Sequence, residues 1–314
     1  MHCDNTGSTC SLISLEQTLR ACLKILKLSD MGIKFFYWIV TALVIYLSPA
    51  GLVAAEKERP IDVIEDNSFL IEEAYNQEAG VVQHIFTAQY VNDSRRRGWE
   101  FNFTQEWPIF SQNHQFSYTI PSSHLVEAGD RQNGIGDVLL NYRYQLLEED
   151  ESKPAFAPRF SLILPSGSRK RGTGHGVIGS EWGLPLSKKI NGQFALHANF
   201  GLTYLPKARA PLESGGLSSK HSLVSYKLGA SAIYAVLHRV HLMLEWLGDF
   251  EESIDDNDGT RRSFKPVLSP GLRAAIVDQP MLQIIAGVAA PIGLNRKADN
   301  YGALVYLSIE HDLF

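Results

Sequence analysis

Ionisable and amide side chains fall at every second position along several stretches of this 314-residue chain. Glu100, Asn102, Thr104 and Glu106 alternate with Trp99, Phe101 and Phe103. The same phase sets Arg143 against Tyr142, Arg159 against Phe160, Glu181 against Trp182, and His197 and Asn199 against Leu196 and Phe200. It continues with Lys227 beside Leu228, Glu245 beside Leu244, Lys265 beside Phe264, Arg273 beside Leu272, and Glu310 beside Ile309. Asp137, at the head of a similar stretch, completes the set. Groups of both signs on one face of a sheet either neutralise one another as an interior network or line a narrow aqueous path.

Other chemistry finds less support. His221-Ser222 joins a base to a hydroxyl, but neighbours on a strand face opposite sides, and no nucleophile elbow accompanies them, so no catalytic residue is assigned. Gly174-His175-Gly176-Val177-Ile178-Gly179 matches a dinucleotide fingerprint formally, yet it leads into a strand pattern instead of a helix. The ten histidines, among them His175, His197 and His241, show no ligand spacing with acidic partners, so neither a metal site nor a cofactor is expected.

The elements that must hold the alternating residues read as strands. Twelve blocks of alternating character are bounded by Gly, Pro, Asn, Asp and Ser: 80–90, 99–109, 114–121, 137–147, 155–164, 177–186, 193–205, 223–237, 240–249, 264–277, 281–291 and 301–314. Strands of a soluble sandwich usually run about 5 to 6 residues, whereas a strand tilted across a bilayer needs about 9 to 11, and the blocks match the second figure better. Connectors alternate too: those expected after odd-numbered strands (91–98, 122–136, 165–176, 206–222, 250–263, 292–300) are all longer than those after even-numbered ones (110–113, 148–154, 187–192, 238–239, 278–280). Short periplasmic turns and long outer loops produce that pattern.

In hydrocarbon an unpaired backbone group costs several kcal/mol, so an open sheet edge is excluded and the sheet must close. The expected fold is therefore all-β: a closed antiparallel transmembrane barrel of about twelve strands over 80–314, preceded by a short helical segment capped at Asn67 or Ser68 and running over 69–75. Tyr90, Trp99, Trp107, Tyr118, Trp182, Tyr204, Tyr234, Trp246 and Tyr301 fall near strand ends, where amphipathic rings favour the membrane interface. In this arrangement the charged set lines the lumen. Glu72, Glu73 and Glu78, in the 56–79 segment before the first strand, either fold back as a plug onto the lumenal Arg and Lys residues or stay solvated in the periplasm.

Composition bounds the rest. Hydrophobic residues make up 45% and charged residues 20%, the net charge is −5, and mean hydropathy is −0.09, which excludes a disordered chain, a basic nucleic-acid binder and a bundle of membrane helices. One apolar stretch, 35–47, follows Met31-Gly32-Ile33-Lys34 and ends in Ser48-Pro49 and then Val53-Ala54-Ala55, as in a signal peptide over 31–55 cleaved near Ala55. Residues 1–30 are then a leader whose translation depends on whether Met1 or Met31 is the start; all three cysteines lie within it, so the exported part has no disulfide.

Gly134-Ile135-Gly136-Asp137-Val138 leading into Asn141-Tyr142-Arg143-Tyr144, followed by Pro158-Arg159-Phe160-Ser161-Leu162-Ile163-Leu164-Pro165-Ser166-Gly167, resembles the outer-membrane barrels of the MetA-pathway phenol-degradation family over roughly residues 80–314. The terminal Phe314 resembles the aromatic residue that closes many such barrels and serves as an assembly signal, although Asp312 stands where an apolar residue is expected. The resemblance implies a passive, porin-like channel or uptake pore in a Gram-negative outer membrane, taking small solutes that include apolar or aromatic ones, and no enzyme activity. The implied partners are outer-membrane lipid and lipopolysaccharide, and the barrel-assembly machinery through the C-terminal strand. A barrel serving adhesion or envelope structure is the alternative, and an outer-membrane lipid hydrolase the third.

Overall fold

The computed structural model describes residues 63–64, 66–92, 96–127, 130–210, 212, 216–298 and 301–313. The expected leader, the expected signal peptide with its cleavage site, and Phe314 lie outside the described residues.

The strands are β1 (Val81–Asn92), β2 (Arg96–Ile109), β3 (Ser111–Glu127), β4 (Asp130–Ile135 and Val138–Tyr144), β5 (Ala155–Phe156 and Arg159–Leu164), β6 (Gly179–Asn191), β7 (Phe194–Ala208), β8 (His221–Leu237), β9 (Val240–Ile254), β10 (Thr260–Gln279), β11 (Leu282–Ala289 and Ile292–Gly293) and β12 (Tyr301–Asp312). Each pairs antiparallel with its sequence neighbours, and β1 pairs with β12 from Val81↔Asp312 to Asn92↔Tyr301, which closes the sheet. This is the twelve-stranded barrel the alternation predicts. Closure leaves neither a first nor a last edge, so every strand finds backbone partners on both sides.

The pleat decides which side chains face out. Along β7, Leu196, Phe200 and Tyr204 are exposed while Ala195 and His197 are buried. Along β9, Leu242 and Leu244 are exposed while His241, Met243 and Glu245 are buried. Large apolar groups outside and polar groups inside invert the distribution of a water-soluble fold. The nine aromatics expected near strand ends all project outward. Some meet in pairs, as Tyr90 with Trp99 at 5.4 Å and Trp107 with Tyr118 at 6.1 Å between ring centres, where edge contacts add to area burial.

Two expectations are corrected. No helix forms over 69–75: this stretch is extended with bends, because barrel side chains take the backbone groups that a helix would have bonded internally. The strict alternation of connector lengths is also not kept. The turns between β6 and β7, β8 and β9, and β10 and β11 are tight, but β3 and β4 stay paired from Ser122↔Ile135 out to Glu127↔Asp130, through most of an expected loop. The 145–154 connector, on the tight-turn side, is longer than the gap between Ile254 of β9 and Thr260 of β10. A ladder that leaves the bilayer keeps satisfying its own backbone groups, so strand ends follow pairing and not membrane thickness.

Candidate functional site

Directly opposed residues of an antiparallel pair share a face, so the register traces the inner wall. Gln83, Glu106, Ser117, Asn141, Ser161, Glu181 and Thr203 follow one another across β1 to β7. Lys227, Asp249 and Lys265 continue at one level of β8 to β10, and Ser231, Glu245 and Ser269 at another. Glu310 stands between Gln283 and Gln83 and completes the circuit. Glu100, Arg143, Arg159, His197, Asn199 and Arg273 share this inward phase.

The lumen is occupied. Residues 66–77 rise along the inner wall and return to β1, and inward side chains satisfy their backbone. Glu245 accepts hydrogen bonds from the N–H groups of Leu70 (2.8 Å) and Ile71 (3.2 Å). Asn199 brackets Glu72, accepting from its N–H and donating to its carbonyl, both at 2.7 Å. Ser187 accepts from Ala74 N–H, and Gln115 from Gln77 N–H. Arg273, fully buried, donates to the carbonyls of Ile64 (2.7 Å), Asp66 (2.6 Å) and Asn67 (3.0 Å). Asp66 in turn accepts from Tyr306 Oη and Gln83 Nε2, each at 2.8 Å.

Glycines make the room. A Cβ at Gly271 would stand 2.7 Å from the Phe69 ring, one at Gly287 would meet the same ring more closely, and one at Gly229 would meet Ile71. All three sit at inward positions of β8, β10 and β11. Phe69 thus joins an apolar layer with Ile85, Ile233, Met243, Ile285 and Tyr306 inside the barrel.

The acidic residues before β1 take three different places. Glu72 spans two guanidinium groups, at 2.9 Å from Arg159 Nε and 3.2 Å from an Arg143 terminal nitrogen. Arg143 also donates to Asn76 and to the carbonyls of Glu73 and Tyr75, and Arg159 pairs with Glu181 at 2.8 Å. The Glu73 side chain is buried. Glu78 is exposed at the tight-turn end, beside a cavity of about 430 Å³ that also meets Glu310 and His238. Beyond Glu72, toward the opposite mouth, Lys265 pairs with Glu251, and an inward apolar patch comprises Ile163, Leu205, Leu223 and Leu139.

Asp137 takes a different part among the residues assigned to the lumen. It sits at the break between the two segments of β4, and its carboxylate ties down the 165–178 loop, accepting from Gly167 N–H (3.0 Å) and His175 N–H (2.7 Å) and pairing with the His175 ring (3.0 Å). Burial raises the Asp137 pKa, but the side-chain hydrogen bond with His175 and the N–H groups of His175 and Gly167 outweigh it and hold the carboxyl below the ordinary range. A lowered pKa stabilises the clasp above the ordinary carboxylate range, and the stabilisation is lost as pH falls through the lowered value. Hydrogen exchange of the 165–178 loop, corrected for intrinsic rate, is expected to accelerate on acidification. Asp137→Ala should show the fast rate already at neutral pH, with a local loss of about 1–3 kcal/mol for each orphaned donor.

The rim also joins Ser219, His221 and Asp258. His221 Nε2 lies 2.9 Å from Ser219 Oγ and 3.1 Å from Asp258, and the Ser219 hydroxyl itself donates to Asp258. A relay needs the two ring nitrogens on different partners. Here one nitrogen meets both, and the nearby hydroxyl is Ser219 and not Ser222, so the cluster is a clasp between the 209–220 and 255–259 connectors. Among the described residues no group of three His, Cys, Asp or Glu side chains could hold a metal.

No family model matches the chain, and no curated protein matches it in sequence. Among solved structures it is similar to the COG4313 outer membrane channel from Pseudomonas putida F1, with a TM-score of 0.59 at 11% identity, covering 76% of this chain and 97% of the other. The NanC porin aligns over 73% of this chain and all of its own, at 12% identity and a TM-score of 0.47. The chain therefore has the closed, twelve-stranded antiparallel fold of an outer-membrane β-barrel.

Proposed function

We propose that this protein is a passive channel of a Gram-negative outer membrane, held closed by its own segment before β1. The observation that carries the reading is the combination of an outer wall of exposed apolar side chains with a polar inner wall that hydrogen-bonds the backbone of residues 66–77 at most of its residues. A barrel needed only as an envelope scaffold could fill its lumen with wall side chains; a detachable strap suits a path that opens. The resemblance to the MetA-pathway phenol-degradation barrels, together with the inward Leu139, Ile163, Leu205 and Leu223, supports small solutes with an apolar or aromatic part. Lipid and lipopolysaccharide are then the partners of the outer wall. The assembly machinery reads the C-terminal strand, and export uses the signal peptide.

Planar-bilayer recording tests this. The full chain is expected to conduct weakly, and a variant lacking 63–79 to conduct about tenfold more or better, since a twelve-stranded barrel lies between side-chain-filled eight-stranded and open 16-stranded cases. A deletion variant that folds yet stays silent would favour the scaffold reading.

A further inference from the structure

Glu72 is a carboxylate in a site built for a carboxylate. Two guanidinium groups from adjacent strands, Arg143 of β4 and Arg159 of β5, converge on its two oxygens, and Asn199 holds the backbone that delivers it. Arg159 is fixed from the wall by Glu181 and Asn141, and Arg143 by Asn76 and the carbonyls of Glu73 and Tyr75, which follow Glu72 in the same segment. The Glu72 and Arg159 side chains keep 25% and 17% of their exposure, so solvent reaches the pair, whereas Arg143 is buried at 3%.

We propose that the Arg143–Arg159 pair is the receptor for the carboxylate of an amphipathic monoanion, aryl or alkyl, and that Glu72 occupies it in the ligand's place until such a solute arrives. This rests on the channel reading and names the solute class. Charge sets the valence. Glu181 and Glu106 already face the two arginines, at 2.8 and 3.9 Å, so Glu72 is a third carboxylate against two guanidinium groups; a monoanion in its place keeps that charge, and a dianion would add to the excess. Shape sets the remainder of the molecule. Ile163 follows Arg159 by four residues on the same inward phase, roughly 13 Å along the strand, and with Leu139, Leu205 and Leu223 it offers an apolar wall on the far side of the arginines from the segment.

Exchange of one carboxylate for another leaves both guanidinium groups paired. A neutral solute that pulled Glu72 away would leave Arg159 Nε and an Arg143 terminal nitrogen short of a charged acceptor, with a free-energy cost for each donor left unsatisfied. The site therefore discriminates by charge at the step that loosens the segment.

Isothermal titration of the purified full chain with benzoate, and with benzyl alcohol as the neutral counterpart, tests the proposal. Glu72→Gln removes the internal competitor and should tighten benzoate binding about tenfold or more. Glu72→Gln combined with Arg159→Gln should lose that gain, while benzyl alcohol binding stays the same in all three proteins. Heat-modifiable gel mobility verifies that each barrel is closed. Equal benzoate affinity in the full chain and the Glu72→Gln variant, or equal affinity for benzoate and benzyl alcohol, overturns the proposal. The 63–79 deletion separates the two levels: if it conducts while benzoate fails to discriminate, the receptor idea falls and the channel stands; if it is silent, the channel reading itself falls.

Discussion

Leu244→Arg is expected to destabilise the barrel in lipid by about 2–4 kcal/mol, the cost of a cation on the lipid face near the bilayer midplane. Leu244 lies inside β9, next to the buried Glu245, and is 49% exposed. In a water-soluble sheet such an exposed position accepts arginine with a change within about 0.5 kcal/mol. The two environments therefore give clearly different answers for one substitution. Equilibrium folding into phospholipid vesicles, followed by tryptophan fluorescence against urea, measures the difference. A value under 0.5 kcal/mol would mean that water covers this face, and the membrane assignment would go with it.

Arg273→Leu is expected to remove about 3–5 kcal/mol from the docking of the segment inside the lumen, the usual cost of withdrawing one partner from a buried ionic cluster. The guanidinium donates to the carbonyls of Ile64, Asp66 and Asn67; it also bonds His241 at 3.2 Å and stands 3.7 Å from the Asp66 carboxylate. Leucine leaves these oxygens buried beside an apolar side chain. Water can satisfy them only if the segment moves out, so the conductance of Arg273→Leu should approach that of the 63–79 deletion, and protease should cut within 63–79. Arg273→Lys is not expected to rescue, because one ammonium cannot reach three carbonyls in the fork geometry of a guanidinium. Wild-type conductance and protection in Arg273→Leu would show that other contacts hold the segment.

Parity carried much of the inner wall. Glu181, His197, Lys227, Glu245 and Glu310 sit on the inward face because each lies within an uninterrupted strand, where the pleat alternates without slippage. The inward glycines were visible as sequence positions, yet nothing local marked Gly229, Gly271 and Gly287 as seats for Ile71 and Phe69. A glycine in a strand is equally a bulge or a close approach, and only the approaching group tells which. The expected helix over 69–75 failed for a related reason. Its cap and its apolar residues favour a helix in isolation, but Glu245, Asn199 and Ser187 supply the backbone partners first.

Strand number, the outward and inward phases, and the presence of acids before β1 next to basic groups in the wall are properties of a period-two pattern, and a chain carries that pattern locally. Which acid meets which base is not local. Leu70 and Glu245 are 175 positions apart, and Glu72 meets Arg143 and Arg159 from strands that become neighbours of the segment only when the sheet has closed. The pattern determined a barrel; the closure of that barrel around 66–77, by bringing distant polar groups to within hydrogen-bonding reach of one backbone, decided that its lumen is filled.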